Sequence, residues 1–272
     1  MKTAEKQITD TAQESESPVL EEQENGIVRL TLNRPKQFNS LSEAMLETLQ
    51  EKIGVIAENK DARLVILQGA GKAFCAGHDL KEMIAIRKES YYKSLFQQCS
   101  RMMMTLNKIP QPVIARVHGI ATAAGCQLVG ACDLAVASED ARFATSGINV
   151  GLFCSTPSVP VSRNIPRKQA MELLLTGEFI DANTALKWGL INRIAPGEKL
   201  DEEVQKLADA ILSKSSVAVF TGKKMFYEQL EKNMEDAYTF AGEIMACNMM
   251  AEDVNEGIDA FVKKRTAVWK GR

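Results

Sequence analysis

Two glycine-containing turns carry the groups best placed to do chemistry. The first is Ala76-Gly77-His78-Asp79-Leu80, and the second runs from Gly119 to Gly125. Each follows a stretch of strand character and precedes a helical one, so each leaves backbone N–H groups unpaired at a positively polarised helix start. On adjacent strands, two such turns would aim two amides at one point, which is what an oxyanion hole requires. A plainer reading stands beside this one: tight helix–sheet packing also demands small residues at 121–126. Neither turn is a phosphate loop, because GxxxxGK(S/T) and GxGxxG are both absent. One helical turn into the second, where a carboxylate would serve acid–base chemistry, stands Gln127. Its amide orients a water but accepts no proton near neutral pH.

Other residues near the turns each allow two readings. The His78 ring is of a type that titrates near neutrality, and it is either an acid–base group or a structural one. Asp79 is placed to cap the helix that follows. Cys126 and Cys154 are either nucleophiles or small buried apolar groups, and nothing in the sequence activates them. Ser146, Asn149 and Ser155 either bind a polar acyl group or close a structural turn. The run Met102 to Met104 reads as core filler.

The elements that must hold these groups follow from periodicity. "IVRLTLN" at 27–33 alternates as a half-buried strand, and Ser42 can cap a helix over 44–59 whose apolar residues fall at helical spacing. "RLVILQG" at 63–69 is a continuous apolar strand, as in a sheet covered on both faces. A helix over 89–110 stops at Pro110, "PVIARVHG" at 112–119 is another buried strand, and 133–145 holds one or two short ones. After residue 157 the pattern is helical, apart from a short strand in "INRIA" at 191–195. This predicts an α/β portion followed by helices, with the helical tail packing against a neighbouring subunit.

Composition narrows the class. The chain has 272 residues, 45% hydrophobic and 25% charged, with a formal charge of -2. No apolar run approaches membrane-spanning length, and no basic block points to nucleic acid. Six cysteines without a CxxC pair, and only two histidines, give no zinc pattern, so no metal is expected. Residues 1–26 hold seven acids against two lysines without apolar periodicity. They read as a disordered tail and as neither a secretory signal nor a transit peptide, which makes the cytoplasm the expected location.

"LTLNRPKQFNSLS", "KAFCAGHDLKEM", "GIATAAGCQLVGACDLAVAS", "RFATSGINVGL" and "EGIDAFVKKRTAVWKGR" together resemble the enoyl-CoA hydratase/isomerase family, the crotonase superfamily. They are collinear from about residue 26 to the end, and "GINVGLFCSTP" fits a divergent subgroup, the enoyl-CoA hydratase domain-containing proteins. The resemblance implies a spiral of ββα turns over 27–200 and a C-terminal helical trimerisation region over 201–272. It implies a homotrimer or homohexamer and an acyl-CoA substrate of fatty acid metabolism. Coenzyme A would be part of that substrate, with no other cofactor. It assigns the oxyanion donors to the backbone N–H groups of His78 and Ala124. It places Lys36, Gln37 and Phe38 on the adenine and ribose of coenzyme A, and Ala76, His78, Asp79 and Leu80 along the pantetheine and thioester. Phe261 and Lys264 fall where a neighbouring subunit reaches the nucleotide.

The sequence departs from the family's hydratases at both catalytic glutamates, whose positions hold Gln127 and Gly147. A positioned acid or base contributes about 10² to 10⁴ in rate, so ordinary hydration is expected to be weak. The expected function is an acyl-CoA enzyme that stabilises a thioester enolate or tetrahedral anion by backbone amides. The alternative is a catalytically silent acyl-CoA-binding or regulatory protein; an unrelated thiol enzyme or scaffold is a third class.

Overall fold

An edge strand that composition hides opens the fold. The computed structural model describes residues 17–272. Strand β1 (Val19–Glu24) pairs antiparallel with β2 (Ile27–Leu32), Val19 opposite Leu32 and Glu24 opposite Ile27. The tail expected over 1–26 is therefore corrected for its second part, while residues 1–16 lie outside the described residues. Only Val19 of β1 is fully buried, and Glu21 to Glu24 are exposed. An edge strand gains its order from backbone pairing, and apolar periodicity does not report that.

Helix α1 (Glu43–Glu58) starts where Ser42 Oγ accepts the Met45 N–H at 3.1 Å, and it buries Met45, Leu46, Leu49, Ile53 and Ile56. Strand β3 (Leu64–Gly69) is followed by α2 (Leu80–Ala85) and α3 (Glu89–Lys108). Met102 and Met103 of α3 are buried, but Met104 is 49% exposed, so the methionine run is core filler only in its first two residues. Next come β4 (Val113–Val117), β5 (Ile120–Thr122), α4 (Ala124–Ala131), β6 (Leu134–Ser138) and β7 (Arg142–Ala144). Then follow α5 (Ser155–Asn164), α6 (Arg167–Thr176), β8 (Ile180–Asp181), α7 (Ala182–Trp188) and β9 (Arg193–Ala195). Helices α8 (Leu200–Leu212), α9 (Ser216–Gln229), α10 (Met234–Asn248) and α11 (Glu252–Val262) complete the chain.

The large sheet has the order β1-β2-β3-β4-β6-β9, parallel except at β1, and a small sheet runs β5-β7-β8. Successive units repeat one path: a large-sheet strand, a small-sheet strand, a helix, as in β4-β5-α4 and β6-β7-α5. This is the spiral of ββα turns that the motifs imply. The apolar run of β3 has its reason here. Val65 and Leu67 join the main core, while Leu64 and Ile66 pack with Leu200, Val204 and Ala208 of α8. The spiral core thus extends through α8, past the boundary at residue 200 that the sequence suggests.

A buried ion pair fastens the terminal helices to this core. Lys223 Nζ of α9 lies 2.7 Å from Asp133 Oδ2 and donates to the carbonyls of Leu106 (2.7 Å) and Gln111 (2.8 Å), so all three of its donors are used. Asp133 also accepts the Tyr227 hydroxyl at 2.8 Å and the Val113 N–H at 2.6 Å. Burial pulls the Lys223 ammonium below its usual pKa, and the Asp133 carboxylate opposes that shift. Beyond this joint, α9 and α10 bury no residue in the single chain, and Phe226, Tyr238, Met245, Met250 and Phe261 are at least half exposed. Lys223→Met removes one partner from a desolvated pair, so it is expected to cost about 3–5 kcal/mol in chemical denaturation. A loss within error of zero would show that the pair does not hold α9.

Candidate functional site

The first turn is sewn into the fold on both sides. Toward the N-terminal loop, Ala76 N–H donates to Phe38 O (3.0 Å), Leu41 N–H to Gly77 O (2.7 Å) and Asp79 N–H to Leu41 O (3.2 Å). Toward β5, Cys75 N–H donates to Ile120 O (3.1 Å) and Thr122 N–H to Cys75 O (3.0 Å). Cys75 and Ala121 form a parallel bridge, so the turn acts as an extra strand of the small sheet. These bonds use the N–H groups of Cys75, Ala76 and Asp79 and the carbonyl of Gly77. Neither the His78 N–H nor the Ala124 N–H has an acceptor among the described residues.

Missing side chains let the two turns touch. A Cβ on Gly77, whose φ is +93°, would stand 2.9 Å from Ala123 Cβ and 3.2 Å from Ala124 N. Any side chain on the residue before His78 would thus press on the nitrogen of Ala124. A Cβ on Gly125 would stand 2.0 Å from Cys75 O. Ala123, just before α4, has φ +51° and ψ −119°, a conformation that favours glycine. The surrounding bonds hold it there, including Ala123 N–H to Ala144 O at 3.0 Å. Such stored strain concentrates at functional sites.

Gln127 and the His78 ring are neutral. Gln127 is buried at 3% exposure, and its Oε1 has no hydrogen-bond partner. Both ring nitrogens of His78 are sealed from solvent, with the Phe96 ring at 5.6 Å between centroids in a T-shaped contact. The near-neutral titration expected of His78 is corrected: burial lowers its pKa to about 4, only partly offset by the Leu41 backbone. The 143–147 segment returns to the second turn through a 2.7 Å hydrogen bond between Thr122 Oγ1 and Ser146 Oγ. At Gly147, Leu152 O and Cys154 Sγ occupy the space of a Cβ, at 2.6 and 2.8 Å. Burial raises the Cys126 thiol to about 12 and also raises that of Cys154, so neither is an activated nucleophile.

The structure brings most of the expected residues together and leaves two apart. Lys36 and Gln37 lie in a single 3-10 turn, with Phe38 next to it at φ +50° and 53% exposed, beside Ala76. Asp79 caps α2 through the Lys81 N–H at 3.1 Å and pairs with Arg34 at 2.9 Å. Burial alone would raise its carboxyl; Arg34 and the backbone more than reverse that. Leu80 is half exposed at the start of α2. Phe261, 85% exposed, and Lys264 lie at the end of α11, and no hydrogen bond among the described residues links them to the turns. Sequence reasoning missed Arg34, Phe96, the Thr122–Ser146 pair, and Asn39. The buried Asn39 amide donates to Ala70 O (2.9 Å) and Ala73 O (2.7 Å), holding the approach to the first turn. An asparagine in a turn, tolerant of positive φ, was the one available signal for it.

Two outcomes are expected from this geometry. Gly125→Ala should cost more than about 2 kcal/mol, whereas Gly222→Ala, with nothing within 4 Å on α9, should stabilise by about 0.5–1 kcal/mol; equal effects in thermal melts would contradict the close approach. The His78 ring should stay neutral in an NMR titration down to about pH 4. Because the unfolded ring binds its proton first, stability should fall between pH 6.5 and about 4. His78→Phe should flatten that slope.

Comparison with known proteins agrees with this architecture. Residues 22–272 match the enoyl-CoA hydratase/isomerase family. The chain is 46% identical over 247 residues to enoyl-CoA hydratase domain-containing protein 3, mitochondrial, of Rattus norvegicus, covering 91% of this chain and 82% of that one. Its Homo sapiens counterpart is 45% identical over 252 residues, covering 93% and 83%. The crystal structure of an enoyl-CoA hydratase from Mycobacterium smegmatis superposes with a TM-score of 0.92 at 55% identity, covering 93% and 99%. That of human enoyl-CoA hydratase domain-containing protein 3 gives 0.90 at 46%, covering 93% and 100%. The cytoplasmic location expected above is overturned, since the rat, mouse and human relatives are all named as mitochondrial. That expectation rested on the composition of residues 1–26, whereas the resemblance lies in the folded core. The chain belongs to the enoyl-CoA hydratase/isomerase family of the crotonase superfamily.

Proposed function

We propose that this protein is an acyl-CoA enzyme that holds the thioester carbonyl oxygen on the free N–H groups of His78 and Ala124. The observation that carries the reading is the close approach of the two turns, which leaves no room for a Cβ on Gly77 beside the Ala124 nitrogen, with both amides unspent. Such donors stabilise an enolate or a tetrahedral anion as charge develops, each by about 10² to 10³ in rate. Gln127 and Gly147 stand where acid–base carboxylates would serve, and His78 is neutral above about pH 4. Proton transfer is therefore left to groups other than two glutamates.

Coenzyme A runs along Lys36, Gln37 and Phe38, then past Ala76, Asp79 and Leu80 to the turns. The exposed apolar faces of α9 to α11 support a homotrimer, or a hexamer of two trimers. In that assembly a neighbouring chain supplies Phe261 and Lys264 to the nucleotide. The absence of carboxylates at positions 127 and 147 favours a second reading, an acyl-CoA-binding protein without turnover.

Acyl-CoA binding and turnover separate the readings. Crotonyl-CoA and butyryl-CoA are expected to raise the melting temperature, and ATP is not. Hydration of crotonyl-CoA is expected to be slower than in a two-glutamate family member by at least about 10⁴, for two missing acid–base groups. Hydration at that relative's rate would refute the role assigned to the missing acids. Binding without turnover of any thioester tried would select the second reading.

A further inference from the structure

The two faces of the large sheet differ at the carboxyl ends of its strands. Successive side chains of a strand point to opposite faces. Val65, Leu67, Ala115, Val117 and Ala137 join the main core, which also holds Cys75 and Ala124 of the glycine turns. On the other face Ile27, Ile66, Ile114 and Val136 pack with Leu200, Val204 and Ala208 of α8. Two residues further along each strand that face turns polar, with Arg29, Gln68, Arg116 and Ser138. These four line one cavity of about 760 Å³, together with Thr31, His118 and Asp140. Helix α8 opens onto it, since its first residues, Leu200 and Asp201, belong to the lining. Its cap, Lys199, makes no side-chain bond to the helix start. Of the two glycine turns only Gly119 reaches this space. Ligands of open α/β sheets bind outside the carboxyl ends of the strands, and the positive end of a helix dipole favours an anion there.

We propose that this cavity binds a phosphomonoester of a small polyol, whose phosphoryl oxygens take the Arg116 guanidinium over from Asp201. The site is separate from the acyl-CoA reading and does not depend on it. Arg116, its side chain only 17% exposed, donates through Nε and Nη2 to the Asp201 carboxylate at 2.5 and 3.1 Å. That two-pronged geometry suits a phosphoryl group as well as a carboxylate. The Asp201 side chain is 71% exposed, and an ion pair with one partner in solvent contributes little, so a dianion displaces it readily. His118 keeps the guanidinium in place: its Nε2–H donates to Gly71 O at 2.9 Å, which turns the Nδ1 lone pair toward Arg116 Nη1 at 3.4 Å. Arg29 adds a second positive charge, and its one side-chain bond is a long one, 3.3 Å from Nη2 to Gln205 Oε1. Ser138 is 4% exposed and lines the cavity, and its hydroxyl has no partner among the described residues. Thr31, Gln68 and Asp140 offer a hydroxyl, an amide and a carboxylate to the hydroxyls of the ligand. No Phe, Tyr or Trp among the described residues lines the space, so a nucleobase finds no ring to stack on.

Calorimetric titration of the full chain in phosphate-free buffer, with ribose 5-phosphate, inorganic phosphate, ribose and AMP, tests the assignment. Ribose 5-phosphate is expected to bind, inorganic phosphate to bind more weakly, ribose not to bind, and AMP to bind no more tightly than inorganic phosphate. Two variants should then move the ribose 5-phosphate affinity in opposite directions. Arg116→Gln should weaken it by at least about tenfold, the scale of a hydrogen bond to a charged group. Asp201→Asn should tighten it severalfold, because the competing carboxylate is gone; loss of a merely structural ion pair would not do so. Should Arg116→Gln fail to fold, Asp201→Asn decides alone, since that side chain stands mostly in solvent. No binding of ribose 5-phosphate, or binding that Asp201→Asn leaves unchanged, would overturn the site. Equal affinity for inorganic phosphate, or tighter binding of AMP, would overturn the polyol assignment. None of these outcomes bears on whether a thioester binds at the glycine turns.

Discussion

The carbonyl oxygen of Cys75 lies 2.0 Å from where Gly125 would carry a Cβ, and the site depends on that contact. It brings the strand end of the first turn against the opening of α4, and the bridge between Cys75 and Ala121 fixes the register of the approach. Once the main chains touch, the Cys75, Ala76 and Asp79 amides are taken by the Ile120, Phe38 and Leu41 carbonyls, and the His78 and Ala124 N–H groups are among those left over. Free donors at a helix start cost stability unless something binds them. Their survival in a closely sewn region is the physical sign of a site.

Around this contact the fold separates stiffness from adaptability. The spiral core is a covered sheet in which β3 buries side chains on both faces, and α8 closes the far side. The terminal helices are attached more sparingly. Lys223 spends all its donors on Asp133 and two carbonyls, a joint that is strong because a half-removed buried ion pair is far worse than an intact one. Past it, α9 to α11 present their apolar side chains outward, an arrangement that suits a neighbour better than solvent.

What the residues announced in advance, and what they hid, follows from the range of each interaction. Helix α1 with its Ser42 cap, the doubly buried β3 and the two glycine turns are written in local spacing, so periodicity and turn chemistry found them. Strand β1 is ordered by backbone pairing on an exposed edge, where Glu21 to Glu24 look like any polar tail. The pairs Arg34–Asp79, Thr122–Ser146 and His78–Phe96 join residues 45, 24 and 18 positions apart. No local pattern encodes them. The His78 ring shows the same limit, since its type suggested a titrating group and its surroundings made it a neutral one.

Gly147 has a further implication. The Leu152 carbonyl and the Cys154 sulfur crowd the point where its side chain would begin. Any larger side chain there would meet the Leu152 main chain at its first carbon. An acidic side chain at this position would first require the 152–154 segment to move. The backbone around position 147 thus selects glycine by exclusion, whatever chemistry the neighbouring residues perform.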